Sequence, residues 1–391
     1  MRKIALLSLL VATTLMAAGY KIPETSINAV ALSNAYVANA HGADAAYYNP
    51  ANMVFSDNSG GTMEVDLTYV GLSEINYKST DATVDISSKA ENFLIPTFHY
   101  VSPAVDNFRF GLSLISPAGL SKKWQDAPAS TTTREFTLQT IEINPTVAYR
   151  LNEQLAVAFG IRGIYSNGIV KNSYYDMKGT GFDWGYNLAL TLKPSQNTDM
   201  ALTYRSQVDL HEKGDATNVL TSTFGRESSG VKVSLPVPAI ISLGVSHTYN
   251  DTTTVEVVLE HTVWSAYENL DFDFTSSNVY SALETAKQKN WKDTDTVRFG
   301  LTHKYDKATA MVGFAYDPSP VPNSSIGYEL PGSDSKIVSI GGRYDLTNSI
   351  NIGMAGLVAL KDDREVHNAS LTGKFTNSRA YLLTAGLEYK F

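Results

Sequence analysis

The stretch AIISLGVSHTY, Ala239 to Tyr249, decides how the chain is read. Ala239, Ile241, Leu243, Val245 and Tyr249 fall on one face with His247, while Ser242, Gly244, Ser246 and Thr248 fall on the other. A period of two marks a β-strand, whose successive side chains point to opposite faces. The alternation recurs in TVRFGLTHKY, where Val297, Phe299, Leu301 and Tyr305 oppose Arg298, Gly300, Thr302 and Lys304. It closes the chain in AYLLTAGLEYKF, with Tyr381, Leu383, Ala385, Leu387, Tyr389 and Phe391 opposite Thr384, Gly386, Glu388 and Lys390. From Gly61 onward this is the dominant pattern: one apolar face, one face of small or charged residues.

The connections between such strands are of two kinds. Short ones are Val105-Asp106-Asn107, Asn152-Glu153-Gln154, Ser195 to Asp199, Asn250-Asp251, Asp306-Lys307 and Thr347-Asn348. Long ones run near 73–90, 117–133, 166–182, 212–237, 265–295, 318–335 and 361–378. They alternate strictly, and six short turns with seven long loops require fourteen strands. Even strand number, tight turns at one end and long loops at the other are the habit of bacterial outer-membrane barrels. Tyr100, Phe108, Tyr149, Tyr249, Tyr305, Tyr344 and Tyr389 gather at the short-turn ends, on or near the apolar face, as an interfacial aromatic belt would. A soluble sandwich would need a second sheet over every apolar face. A barrel closed in lipid needs none, and closure removes the sheet edges. The fold expected is therefore all-β: a 14-stranded antiparallel transmembrane β-barrel over 61–391, plugged by an N-terminal segment.

The N-terminus supplies the address and the plug. MRKIALLSLLVATTLMAAGY has a positive start at Arg2 and Lys3, an apolar run from Ile4 to Leu15, and small residues at Ala17 and Ala18. That is a signal peptide, set at residues 1–17, too short to span a membrane as a helix. The absence of cysteine rules out disulfides and thiolate metal sites, and 31 basic against 39 acidic residues disfavour a nucleic-acid partner. Residues 18–60 show no clean alternation, offer helical possibilities near Ile27–Ala40, and carry Ile22, Ile27, Val30, Leu32 and Val37. So much apolar surface does not suit a solvated tail, and the simplest place for the segment is inside the lumen. Asn49-Pro50 would fix a turn within it.

Orienting each strand by its loops gives the lumen a character. Inward apolar residues fall towards the outside: Val70, Leu72, Phe93, Ile95, Ile115, Phe136, Leu138, Ile164, Ile240, Ile337 and Leu382. The periplasmic half offers Glu64, Asp66, Arg109, Glu142, Arg150, Lys193, Arg343, Asp345, Glu388 and Lys390 instead. A greasy upper lumen suits a ligand with an apolar body, and Phe93, Ile95, Ile115, Phe136, Leu138 and Ile164 are the candidate contacts. Arg162, Arg205 and Arg298 also point inward and are candidates for a carboxylate head group. Pairing of these arginines with Glu and Asp across the lumen fits the pattern equally well.

Several linked motifs then resemble one family. AGYKIPETSINAVALSNAYVANAHGADAAYYNPANM looks like the N-terminal hatch of the FadL/TodX family of outer-membrane transporters, with its Asn-Pro-Ala motif at Asn49, Pro50 and Ala51. INPTVAYRL, WGYNLALTLKP with ALTYRS, PAIISLGV, VWSAYENL, FAYDPSPVP and the final YLLTAGLEYKF are similar in turn, covering essentially the whole mature chain. The resemblance implies passive uptake of long-chain fatty acids or other hydrophobic compounds without ATP, proton-motive force or cofactor. It implies a hatch that moves, with Asn49, Pro50 and Ala51 as the switch. It further implies lateral exit at a kink in the third strand, NFRFGLSLISPAGL, where Gly111, Pro117 and Gly119 are the candidates. The loops after the third and fifth strands are shorter here than in the best-known fatty-acid members.

Other classes fare worse. His41, His99, His211, His247, His261, His303 and His367 are scattered, with no metal-ligand spacing, so neither a metal site nor an enzyme is expected. A non-selective porin should have a polar lumen throughout, and an adhesin or phage receptor would use only the loops. Aromatic or alkane hydrocarbons remain open as substrates beside fatty acids. The expected setting is a monomer in outer-membrane lipid.

Overall fold

In the computed structural model, residues 19–219, 228–275 and 286–391 are described here. The expected signal segment lies outside them. Fourteen antiparallel strands form the barrel. In chain order they are β1 (Thr62–Leu72), β2 (Glu91–Val101), β3 (Phe108–Ile115, resumed at Gly119–Lys123), β4 (Glu135–Arg150) and β5 (Leu155–Lys171). Then follow β6 (Tyr175–Ser195), β7 (Thr198–Arg205, resumed at Val208–Asn218), β8 (Ser228–Val237, resumed at Ile240–Tyr249) and β9 (Thr253–Thr262). The last five are β10 (Thr294–Lys304), β11 (Ala308–Asp317), β12 (Ser335–Asp345), β13 (Ile350–Lys361) and β14 (Arg379–Lys390). The barrel closes because β1 pairs with β14 along its whole length, from Thr62 opposite Lys390 to Leu72 opposite Ala380.

The alternation in sequence becomes inside and outside. Leu243, Phe299 and Leu387 are 46%, 43% and 43% exposed, whereas their neighbours Gly244, Arg298 and Glu388 are buried. Apolar residues on a fully exposed outer face are stable only against lipid, since water would oppose so large a patch. The aromatic residues at the short turns face outward, and some stack in pairs: Phe108 and Tyr149 lie 4.6 Å apart, centre to centre. Among the described residues no helix is long and apolar enough to cross a membrane.

Two expectations about loops need correction. The stretch 166–182 is not a long loop: β5 and β6 run on to Lys171 and from Tyr175, leaving three connecting residues, 172–174. Likewise β7 reaches Asn218 and β8 starts at Ser228 within the supposed loop 212–237. Beyond the bilayer the outer face no longer needs apolar side chains, so the alternation fades while the backbone ladder continues. The loops 73–90 and 361–378 are ordered as well. They join in a four-stranded sheet outside the barrel, built from 76–79, 85–87, 364–367 and 372–376.

The segment before β1 fills the lumen. Of the helix possible over Ile27–Ala40, only Ile27–Ala31 (α1) forms. Ser33 and Asn34, both with φ in the left-handed region, turn the chain immediately afterwards. Ala45–Tyr48 makes a second short helix (α2), followed by a 3-10 turn at Pro50–Phe55. Ile27, Val30, Leu32, Tyr48 and Met53 pack in one cluster with Val70, Ile95 and Leu382 of the wall. The approach is close enough to need glycine: a Cβ on Gly313 would strike the Leu32 backbone, and one on Gly244 would come 2.9 Å from the Ala38 amide nitrogen.

Candidate functional site: a lumen divided by its own N-terminus

The plug is held by polar contacts that satisfy its turns. Ser26 caps α1, its hydroxyl accepting from the Ala29 amide at 3.2 Å and donating to Asp44 at 2.7 Å. Asp44 also accepts from Asn28 and Tyr36. The wall reaches in through Glu256, whose carboxylate accepts the backbone N–H groups of Val37, Ala38 and Asn39 at 2.6, 2.6 and 3.1 Å. Asn49 is fully buried. Its amide nitrogen donates to the Val37 carbonyl and to Thr191 of β6, both at 2.8 Å, and its oxygen caps the turn at Ala51. Thr191 in turn donates to Asn52 at 2.6 Å. Asn49 is thus one of the points at which the plug is pinned to the barrel.

The third strand is broken where the sequence places its Pro-Ala-Gly. Strands β2 and β3 pair at only four positions, from Val101 opposite Gly111 to Phe98 opposite Leu114. Beyond Phe98, β2 is paired with β1 alone as far as Glu91. Contact returns at Lys89, whose amide donates to the Lys123 carbonyl at 2.8 Å. Pro96 and Pro117, one on each side of the gap, lack a backbone donor. The plug takes up the slack: Ile22 N–H donates to the Pro117 carbonyl, and Gly119 N–H to the Tyr20 carbonyl, each at 2.8 Å. Lys21 and Ala118 lie directly opposite each other. Gly111 is paired normally on both sides, with Val101 and Thr146. Its lack of a side chain admits Ala46 and Met53 of the plug.

This short pairing divides the space above the plug. On one side lies a cavity lined by Lys21, Ile22, Pro117, Arg162, Arg205 and Glu260 among others. On the other lies a smaller one, lined by Tyr20, Phe136, Leu138, Tyr267, Trp291 and Leu330, with Lys289 and Glu329 beside them. Tyr20 is the divider. Its ring packs edge-on against Trp264 at 4.9 Å and lies 5.6 Å from Trp291, and its hydroxyl donates to the Pro236 carbonyl at 2.5 Å. Lys289 and Glu329 form an ion pair. Burial works to raise the Glu329 carboxyl, but the Lys289 ammonium outweighs it and leaves it below its usual range.

The candidate residues therefore sort into three places. Arg162, Arg205 and Pro117 meet at the larger cavity, and Phe136 and Leu138 at the aromatic one. Ile164 packs in the same outer cluster as Phe136 and Leu138. Phe93, Ile95 and Ile115 pack instead on the plug. Arg298 is committed to Glu24 at 3.1 Å and Glu260 at 3.2 Å. Arg162 and Arg205 share one carboxylate, Glu142, with Arg162 at 3.0 Å. Two guanidinium groups thus converge on one acid. Arg205 lies 4.0 Å from the centre of the Tyr47 ring in the plug, a cation–π contact.

Periodicity did not single out Tyr20, Lys21, Tyr47, Glu256 or Thr191. Lys21 reaches across to Glu260 at 2.5 Å, so the plug's first residues are tied to β3 by backbone and to β9 by charge. One signal was present: strands touching the plug carry glycine on their inward face, as at Gly244, Gly300 and Gly313.

A family model for outer membrane protein transport proteins (OMPP1/FadL/TodX) matches residues 8–391. The long-chain fatty acid transport protein of Salmonella typhi is 25% identical over 398 residues, covering 88% of each chain. In fold, a crystal structure of a Pseudomonas aeruginosa FadL homologue matches at a TM-score of 0.86 and 18% identity, covering 96% of this chain and 100% of that one. The toluene transporter TodX of Pseudomonas putida matches at 0.73 and 17%, covering 96% and 99%. With a closed fourteen-stranded barrel, an N-terminal plug and a match over nearly its whole length, this chain belongs to the OMPP1/FadL/TodX family of outer membrane transport proteins.

Proposed function

We propose that the protein takes up hydrophobic molecules, long-chain fatty acids foremost, passively across the outer membrane. The acyl chain enters through the greasy upper lumen, past Phe136 and Leu138, and the carboxylate comes to rest at Arg162 and Arg205. The carrying observation is that the break in β3 is closed by residues 20–22 of the plug rather than by β2. Withdrawal of those residues would connect the cavity to the wall gap, and an apolar solute gains more by entering lipid than by crossing the polar lower lumen. The joint at Asn49-Pro50-Ala51 is the hinge of that movement. No chemical step or cofactor is involved, and the barrel works as a monomer in lipid.

Cysteine locking tests this. The chain has no cysteine of its own, so Ile22→Cys with Pro117→Cys places a single pair across the seal. Oxidation is expected to stop oleate uptake into cells expressing the variant, and reduction to restore it. Full uptake by the oxidised, cross-linked protein would sink the lateral route.

A second reading, uptake of aromatic hydrocarbons, is favoured by Tyr20, Trp264, Tyr267 and Trp291 around the smaller cavity. Competition separates the two: under the fatty-acid reading, laurate displaces labelled toluene far better than toluene displaces laurate.

A further inference from the structure

The gap between β2 and β3 has two ends of different make. The lower end is backbone: Phe98 lies opposite Leu114, and the ladder runs on to Val101 opposite Gly111. Residues 92–97 of β2 then face β3 without a ladder, a stretch of roughly 20 Å at the usual strand rise. The upper end carries one backbone bond, from the Lys89 amide to the Lys123 carbonyl, and Ser88 lies opposite Trp124 just beyond it.

The rest of the upper closure is charge. Glu91 is 7% exposed, and its carboxylate reaches over the gap. It accepts from the Ser121 hydroxyl at 2.6 Å and meets the Lys123 ammonium at 3.5 Å. Lys123 also meets Glu135 of β4 at 3.3 Å, and Glu135 meets Lys171 of β5 at 2.7 Å. Lys123, Glu135 and Lys171 stand directly opposite one another along the ladders. Acid and base thus alternate in one row over β2, β3, β4 and β5. A lone surface pair is worth little, but a row of charges with its acids withdrawn from water holds its geometry. Between β4 and β5 such a pair only adds to a complete ladder. Between β2 and β3 it stands where the ladder is missing. Two strands pinned at both ends leave a slit; pinned at one end, they splay.

We propose that Glu91 and Lys123 are positioning residues that bolt the outer end of the wall gap, keeping it a slit one acyl chain wide and excluding broader solutes. That a solute leaves by this slit rests on the uptake reading above; that the charges hold its rim does not.

The rim and the passage are measured separately. Ala90 and Gln125 are exposed and flank the bolt, and the chain has no cysteine, so spin labels at Ala90→Cys and Gln125→Cys report the rim of the full-length protein in phospholipid vesicles. Pulsed electron–electron resonance is expected to give a narrow distance distribution for the labelled barrel and a broader, longer one when K123M or E91Q is added; K123R should keep the narrow one. In cells, E91Q and K123M should take up pyrenyl-dodecanoate at least tenfold faster than the native barrel, with oleate uptake unchanged. Gel mobility before and after heating checks that each variant is folded. A narrow distribution in folded K123M and E91Q, or pyrenyl-dodecanoate entering through the native barrel as fast as through the variants, would overturn the bolt while leaving the uptake reading standing. A broadened rim in the variants with no oleate uptake by any barrel, native included, would overturn the uptake reading and leave the bolted rim standing.

Discussion

The inner half of the lumen and its outer half obey one alternation rule and come to opposite ends. Below, strand glycines let the plug come close enough to touch backbone, and Glu256, Thr191 and Asp44 satisfy its amides and turns. Above, Tyr20, Trp264, Tyr267 and Trp291 pack on one another edge-on over the barrel mouth, and two cavities remain beside them. Small inward residues therefore admit the plug, and large ones cap the space above it. The boundary between the halves is two hydrogen bonds long, at Pro117 and Gly119.

The sharpest way to break the comparison is at that boundary. Glu142→Ala leaves two guanidinium groups at the larger cavity without their shared acid. A loss of about 3–5 kcal/mol is expected, because an uncompensated buried charge remains. Urea titration in phospholipid vesicles measures it, and a loss below about 1 kcal/mol would mean that water already screens the pair.

Next in size is a test of the wall that both halves share. Leu243→Arg puts a cation on the lipid face about midway up β8 and should cost about 2–4 kcal/mol. A neutral result in the same titration would mean that this face does not meet hydrocarbon.

The inner half alone is addressed by Gly313→Val. The added side chain collides with Leu32 of the plug. Overpacking of this kind costs about 1–3 kcal/mol. The variant should pass a steady current in planar bilayers where the native barrel passes little; an unchanged trace would show that the plug yields without opening a channel.

The smallest effect belongs to the sheet outside the barrel. Lys78 and Asp85 form an ion pair 3.6 Å apart with both side chains largely exposed. Lys78→Ala should leave the titration midpoint unmoved, as surface pairs usually do. A clear shift would mean that the outer sheet contributes to barrel stability.

How much of this was legible in the chain follows from what each feature depends on. The strand faces were readable because lipid imposes a period of two on every crossing: Leu243 and Leu387 had to point out, Ser242 and Glu388 in. The short turns were readable for a local reason, the Asp and Asn chemistry of tight connections. The loop lengths near 166–182 and 212–237 were misjudged because the ladder outlives the hydrophobic pattern once it leaves the bilayer. The plug's path was not readable at all, since residues such as Ile27 and Tyr48 pack on whichever wall closure brings to them.

The sequence by itself determined a barrel, its strand number, its inside and its outside, because those follow from neighbour-to-neighbour alternation and the demand that every backbone group be paired in lipid. Only the tertiary structure decided which charges neutralise which. Lys21 finds Glu260 across 239 positions of chain, Arg162 and Arg205 converge on Glu142, and Arg343 meets Glu64. Pairing across a lumen depends on distances that exist only after the sheet has closed, and no local pattern encodes them.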